Sequence, residues 1–260
     1  MNHCHVERGV DEPQQRLHRV MLITRNRIAF CGPFGRPSSR CLGSWTFYVS
    51  ADEPFHLDEE GQDGRSTRFA LVAPWSRHRV VPSGRDLSVL LIEPDSVDVP
   101  AMCAALMGSP EAQQRTADAI RDGFRNNPSA AADFDVHFFG GALPCRRLDH
   151  RVRRVIDLIA APETSRLSAE QYASQVFLSS SRFMHLFSEQ TQTTFRRFRS
   201  WKRARRFLTM LTGQPRLVDV ALDAGYADST HLSRCVRSCY GYTPAVMCGA
   251  SRALAVVARA

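Results

Sequence analysis

The residues best placed to do chemistry lie between Thr194 and Thr212. There Arg196, Arg197, Arg199, Lys202, Arg203, Arg205 and Arg206 surround an apolar stripe of Phe195, Phe198, Trp201, Ala204, Leu208 and Leu211. The three- and four-residue spacing of the stripe predicts a helix. Cations around such a rod suit phosphates, since neutralising them releases counterions and gives affinity without base preference. The metal-ligating types are sparser. His56 and His78 are the histidines of the strand-like region, with no His-x-His followed by Glu, so the donor set of a metal enzyme is missing and neither catalysis nor a cofactor is expected. His3-Cys4-His5 is ligand-like but sits in a polar terminus and reads as a tail. The eight cysteines show no Cys-x-x-Cys pairing and read as reduced thiols. Cys235 and Cys239, four apart on a predicted helix, share one side. They read either as core packing or as a pair open to oxidation or a soft metal.

Charge divides the chain. Residues 1–145 carry 15 Arg against 18 Asp and Glu, whereas residues 146–260 carry 18 Arg and one Lys against 8 acids. A basic C-terminal part beside a slightly acidic N-terminal part predicts a polyanionic partner for the former. No run of eighteen apolar residues occurs, so no membrane span is expected. The polar stretch from Met1 to Glu12 has no apolar signal core, which predicts a cytoplasmic chain.

The elements that must position these residues fall into two textures. Up to about Asp98 the sequence reads as short strands, including Trp45–Val49, Thr67–Val72, His78–Val81 and Leu87–Ile92. Turn clusters at Pro33–Ser39, Glu60–Gly64 and Pro82–Gly84 separate them, which fits a small barrel or sandwich. Helical spacing begins at Pro100, over Ala101–Gly108 and Pro110–Asn126, before a loop-like stretch from Pro128 to Gly141. From Leu148 onward the reading is all helix. Val152, Val155, Ile156 and Ile159 make an apolar face up to Pro162, and Ser168 with Gln171 forms a capping box. Ser179–Ser181 cap a helix that buries Phe183, Leu186 and Phe187, and Gly213 and Pro215 stop the cationic rod. The expected domains are residues 1–99, a helical connector at 100–145, and 146–260.

The flanks of the rod repeat each other. Leu167–Ser179 overlays Leu217–Ser229, with Ala173 matching Ala221 and Phe177 matching Gly225 at the turn. With one residue inserted, Phe183–Phe187 overlays Leu232–Val236. Each copy reads as helix, tight turn, helix. A rod of about 19 residues spans about 28 Å. Adjacent major grooves on one face of DNA lie roughly 34 Å apart, so the rod suits two recognition helices in successive grooves.

Residues 148–247 resemble the DNA-binding domain of the AraC/XylS family of transcription regulators. The resemblance is carried by Ala221-Leu222-Asp223-Ala224-Gly225-Tyr226-Ala227-Asp228-Ser229-Thr230-His231-Leu232-Ser233-Arg234 and by Tyr240-Gly241-Tyr242-Thr243-Pro244. Phe195–Arg199 with Trp201-Lys202-Arg203 resembles the start of the family's linker helix. It implies recognition helices at about 179–190 and 228–239. It places base reading on Ser181, Met184 and His185 in the first, and on Ser229, Thr230, His231, Ser233 and Arg234 in the second. Arg234 is the strongest reader, because its fork can pair with guanine O6 and N7. Phosphate contacts fall on Arg182, Arg196, Arg197 and Arg237. Four positions depart from the family pattern: Phe177 and Gln192 stand where glycine is usual, and Val236 and Met247 where aromatics are usual.

The family also implies a cupin-like β-barrel ahead of the helical domain, for effector binding or dimerisation. Ala73–Val80 resembles a segment of those barrels, and Trp45, His56 and His78 are the candidate effector-pocket residues. The expected fold is therefore α+β, a cupin-like barrel followed by an all-α domain of two helix-turn-helix units joined by a long helix. The expected partners are double-stranded DNA, a small-molecule effector, a second copy of the chain and, for an activator, RNA polymerase. The expected setting is a bacterial nucleoid. A rival reading rests on Pro144-Cys145-Arg146, which resembles the reactive-cysteine motif of DNA alkyl-repair proteins but lacks the histidine that would activate Cys145.

Overall fold

The computed structural model describes residues 17–84, 86–161, 163–164, 166–213 and 217–259. The His3-Cys4-His5 cluster, Pro162 and Pro215 lie outside these residues. Among the described residues, nine strands come first: β1 (Val20–Ile23), β2 (Arg27–Pro33), β3 (Arg40–Cys41), β4 (Trp45–Val49), β5 (Phe55–Glu59), β6 (Arg65–Thr67), β7 (Phe69–Val72), β8 (Arg77–Pro82) and β9 (Asp86–Ile92). Helices follow as α1 (Val99–Met107), α2 (Pro110–Arg125), α3 (Phe134–Phe139), α4 (His150–Ala160), α5 (Ala169–Ser174) and α6 (Ser180–Thr191). Then come α7 (Phe195–Thr209), α8 (Leu217–Asp223), α9 (Ser229–Tyr240) and α10 (Pro244–Ser251), and the chain closes with strand β10 (Ala255–Ala258).

The expected α+β order holds, but the β part is two open sheets and not a closed barrel. One sheet runs β10-β1-β2-β9-β4-β7 and the other β3-β8-β5-β6. The β1 edge of the larger sheet is taken by β10, which pairs with it in parallel from Val20 opposite Ala255 to Ile23 opposite Ala258. The C-terminal end of the chain thus completes the N-terminal sheet. Strands β2 and β9 are central and buried almost throughout. Such strands lack the in–out alternation that marks a one-sided sheet. The stretch from Pro128 to Gly141, expected as a loop, contains α3. Its start is capped by Asp133, which accepts from the Val136 amide at 2.9 Å, and Gly140 ends it at φ 75°.

Three apolar cores result. One face of the large sheet packs against α1, α2 and α3 through Phe47, Leu90, Ile120, Phe124 and Phe138. The first helix-turn-helix unit has its own core of Val155, Ile156, Tyr172, Phe183, Phe187 and Phe195. The third core joins the other sheet face to the second unit, with Tyr48, Phe55 and Leu91 in one cluster with Phe207, Leu232 and Val236. Fully burying a Leu or Phe side chain is worth about 1.5–3 kcal/mol. The second unit therefore draws part of its stability from the sheets. Helix α7 bridges two cores, since Phe195 and Phe198 belong to that of the first unit and Trp201, Phe207 and Leu208 to the shared one.

Polar contacts lock this bridge. Glu93, at the end of β9, is 1% exposed. It accepts from the Trp201 indole N–H at 2.9 Å, pairs with Lys202 Nζ at 2.5 Å and with Arg205 Nε at 3.1 Å. Lys202 also reaches Asp95 at 3.2 Å, and Arg205 donates to the Arg27 carbonyl at 3.0 Å. On the same loop the Pro94 carbonyl accepts from Arg146 at 3.1 Å, and the Asp95 carbonyl from Arg153 at 3.2 Å. Two of the rod's cations are thus committed to the β part and do not face solvent, which corrects the expectation that all its basic residues serve phosphates.

Removing one partner of a buried ion pair leaves the others uncompensated and costs about 3–5 kcal/mol. Glu93→Ala should lower unfolding stability by that order, read by urea denaturation. A loss within experimental error would show that Lys202 and Arg205 find other partners.

Candidate nucleic-acid interface

The two helix-turn-helix units are built on matching turns. In the first, the Leu178 amide donates to the Ala173 carbonyl at 3.0 Å; in the second, the Tyr226 amide donates to the Ala221 carbonyl at 2.8 Å. Both alanines are buried at 1% exposure, where a larger side chain would hold the helices apart. The residue at each turn takes the left-handed conformation, Phe177 at φ 56° and Gly225 at φ 81°. Glycine does so freely, whereas an L side chain does so at a cost. Phe177 accepts that cost while 95% exposed, so its ring repays nothing through burial. Gln192 also adopts φ 56°, as the residue that closes α6.

Caps fix where each recognition helix begins. The Ser179 hydroxyl accepts from the Arg182 amide at 3.4 Å to start α6, and the Asp228 carboxylate accepts from the His231 amide at 2.7 Å to start α9. The capping box of α5 is complete, with the Ser168 amide donating to Gln171 Oε1 at 2.7 Å and the Gln171 amide to Ser168 Oγ at 3.2 Å. Behind the helices, Phe183 and Phe187 of α6 and Leu232 and Val236 of α9 point into the cores.

The opposite faces carry the candidate readers. Ser181, Met184 and His185 on α6 are exposed, as are Thr230, His231 and Arg234 on α9, while Ser229 and Ser233 are half-buried. Of the candidate phosphate residues, Arg182, Arg196 and Arg237 are exposed. Arg197 stands apart, because its guanidinium lies 4.8 Å from the centre of the Trp75 ring. That cation–π contact ties the start of α7 to the loop before β8. Arg199 likewise covers Tyr172 and Phe195, each at 5.4 Å.

Cys235 and Cys239 divide as their positions dictate. Cys239 is buried in the shared core and Cys235 is half-buried beside α7. The Cys235 sulfur accepts from the Tyr226 hydroxyl at 3.2 Å and lies 3.4 Å from Ser200 Oγ. The Cys239 thiol, and then these hydroxyls, pull the Cys235 thiol below its usual range, against its burial. Cys145 is exposed, and its sulfur's contact is the Arg146 carbonyl at 3.9 Å, which activates nothing.

The three candidate effector residues do not converge. Trp45 packs toward the α1–α3 layer, His56 is exposed and bonded to Asp58 at 2.8 Å, and His78 is buried on the smaller sheet. His78 Nδ1 donates to the Ser76 carbonyl at 2.9 Å, which leaves Nε2 to accept from the Tyr48 hydroxyl at 2.7 Å. Burial holds the ring neutral, with its pKa pushed down to about 4. The same burial pushes the Tyr48 hydroxyl up to about 12. Among the described residues, no cluster of His, Cys, Asp or Glu could hold a metal ion. No helix among them is long and apolar enough to cross a membrane.

The sequence reading missed two features. The Glu93–Asp95 anchor carried no local signal beyond two acids ending an apolar strand. Gly241 was legible only as part of a motif. It sits at φ 76°, and a Cβ there would meet the Ser38 carbonyl oxygen at 2.4 Å. The close approach lets the Ser38 amide donate to the Gly241 carbonyl at 3.0 Å, which stitches the end of α9 to the segment before β3.

Residues 172–248 match the helix-turn-helix domain family. Across most of the chain the fold is similar to that of ToxT from Vibrio cholerae. ToxT from strain O395 superposes with a TM-score of 0.54 at 11% identity, covering 86% of this chain and 98% of that one. Unsaturated-fatty-acid-bound ToxT superposes with a TM-score of 0.51 at 10% identity, covering 89% and 98%. An AraC-type DNA-binding domain protein from Chromobacterium violaceum matches 40% of this chain and 92% of its own at 23% identity, with a TM-score of 0.37. No curated protein sequence matches this chain. The helix-turn-helix match and the ToxT fold bear out the resemblance read from the sequence.

Phe177→Gly should relieve the left-handed strain at the first turn. Because the ring is exposed, no packing is lost, and stability should rise by about 1 kcal/mol, read as a higher Tm. An unchanged or lower Tm would mean that the ring stabilises the turn in a way its exposure does not show.

Proposed function

We propose that this AraC-type helix-turn-helix protein is a sequence-specific transcription regulator that inserts α6 and α9 into adjacent major grooves of one duplex. The observation that carries the reading is the pairing of two matched units on one rod, each with its apolar side buried and its candidate readers turned outward. Helix α7 has 15 residues, shorter than the sequence suggested, and spans about 22 Å. A flanking helix of about 10–12 Å diameter brings the separation near the groove repeat of about 34 Å.

The roles divide by chemistry. Arg234 reads a guanine edge through its planar fork, with His231, Thr230, Ser229 and Ser233 beside it on the same turns. Ser181, Met184 and His185 make the smaller contribution of α6. Arg182, Arg196 and Arg237 meet phosphates and set affinity without sequence preference. Arg197 serves first as the tie to Trp75. The N-terminal sheets act as the sensing half: they share a core with the second unit, so a small molecule bound there would act on α9 through direct packing. That ToxT structures include a ligand complex supports an effector of this kind.

Binding of the full chain to a promoter fragment should weaken steeply as salt rises, in proportion to the phosphates neutralised. Arg234→Ala should cost about 1–3 kcal/mol at the specific site and relax preference at one base pair, with little effect on random DNA. Equal losses on specific and random DNA would remove Arg234 from the readers. A flat salt dependence would contradict the DNA-binding reading itself.

A further inference from the structure

Cys235 and Cys239 form a cluster that the regulator reading leaves unused. They stand four residues apart on α9, the helix that carries Arg234. Packing accounts for Cys239, which is buried in the shared core. It does not account for the polar surroundings of Cys235, half-buried at the edge of that core. The Cys235 sulfur accepts from the Tyr226 hydroxyl at 3.2 Å and lies 3.4 Å from Ser200 Oγ. The Cys239 thiol also donates to it, so the two sulfurs are neighbours. Both cysteines line one open cleft of about 510 Å³, with Ser200 of α7 on one side and His231 and Arg234 of α9 on the other.

Spacing decides what the pair can do. Cβ atoms four residues apart on a helix are separated by about 5–6 Å. A disulfide needs about 3.5–4.5 Å, so α9 would have to distort to close one. One atom inserted between the sulfurs spans the gap with the helix intact. That atom must be soft, since thiolates select soft centres. It must also be satisfied by two sulfurs. Among the described residues no group of three or more His, Cys, Asp and Glu could hold a metal ion, which sets aside a four-coordinate zinc ion. Trivalent arsenic takes one thiol for each oxygen it can exchange: arsenite takes three, a monosubstituted arsenical two and a disubstituted one a single thiol. The donor count selects the monosubstituted class. Its dithiolate is neutral, which suits a sulfur buried against an apolar core, whereas a copper(I) bis-thiolate would keep a negative charge there. The cleft gives the organic substituent room.

We propose that Cys235 and Cys239 form a two-thiol site for a monosubstituted trivalent arsenical, whose arsenic bridges the sulfurs and whose organic substituent occupies the cleft between α7 and α9. With an arsine oxide, two As–S bonds form and the As=O bond is lost. Its oxygen leaves as one water with the two thiol protons, and nothing is oxidised or reduced. The substituent then sits beside His231 and Arg234, between these side chains and a duplex. The thiol site stands on the geometry alone, and only its consequence for DNA rests on the regulator reading above.

Phenylarsine oxide added to the reduced full chain, followed by glutathione to strip arsenic held by one thiol, tests the site by intact mass. One phenylarsenic per chain should remain, and 1,2-ethanedithiol should remove it. The glutathione concentration that strips half of the adduct should fall at least about tenfold in Cys235→Ser and in Cys239→Ala, since the second As–S bond is intramolecular. Should Cys239→Ala fail to fold, Cys235→Ser, at the edge of the core, decides alone. A wild type that keeps no arsenic under glutathione, or a Cys235→Ser chain that keeps it equally well, would overturn the proposal. Retention of copper(I) in place of the arsenical would overturn it too. In a second arm, the arsenical should weaken wild-type binding to a promoter fragment by about tenfold, the scale of one lost base reader, and leave that of Cys235→Ser unchanged. Unchanged affinity of the loaded wild type would overturn the consequence for DNA. Failure of the arsenic-free chain to bind DNA would contradict the regulator reading and leave the mass result standing.

Discussion

The arrangement depends on a buried carboxylate. Glu93 closes the last N-terminal strand and receives the Trp201 indole, Lys202 and Arg205 from a single face of α7. An ionised group 1% exposed is tolerable only when its charge and lone pairs are satisfied, and here three donors do so. The consequence is geometric. Helix α7 carries a helix-turn-helix unit at each end, so fixing its face against the sheet also fixes the orientation of both units relative to the N-terminal part. The Pro94 and Asp95 carbonyls extend the hold to Arg146 and Arg153 at the entry to the first unit.

Around this anchor the two units are coupled unequally. The first has a core of its own, tied to the rest through α7 and polar contacts. The second shares its core with the sheet, is stitched to it at Gly241, and is followed by β10, which joins the sheet as a strand. An event in the sheet would therefore be felt first by α9. Helix α9 also carries Arg234, the residue proposed above to read a base, so the proposed reader lies on the element most coupled to the sheet.

Much of the helical half was legible in the sequence, because its signals are local. Caps at Ser168 and Ser179, the small residues Ala173 and Ala221, and the stripe of α7 each act within a few residues. Even the strain at Phe177 could be foreseen from its alignment with Gly225. Local spacing revealed less of the β half. Strands β1 and β2 are buried on both faces and show no alternation, and the two-residue β3 is too short to show any pattern. Helix α3 was hidden by its length, although Asp133 and Gly140 mark its ends. The shared core, the β1–β10 pair and the partners of Glu93 join residues far apart in the chain, where spacing carries no information. The separation of the candidate effector residues was hidden for the same reason, since Trp45 belongs to the larger sheet and His56 and His78 to the smaller one.

The central claim is that two matched units hold one face of a single duplex. Hydroxyl-radical footprinting of the full chain on its strongest genomic site tests it most directly. The account predicts two protected patches on one face of the DNA, separated by about one helical turn of 10–10.5 base pairs. A single patch, or two patches on opposite faces, would contradict it.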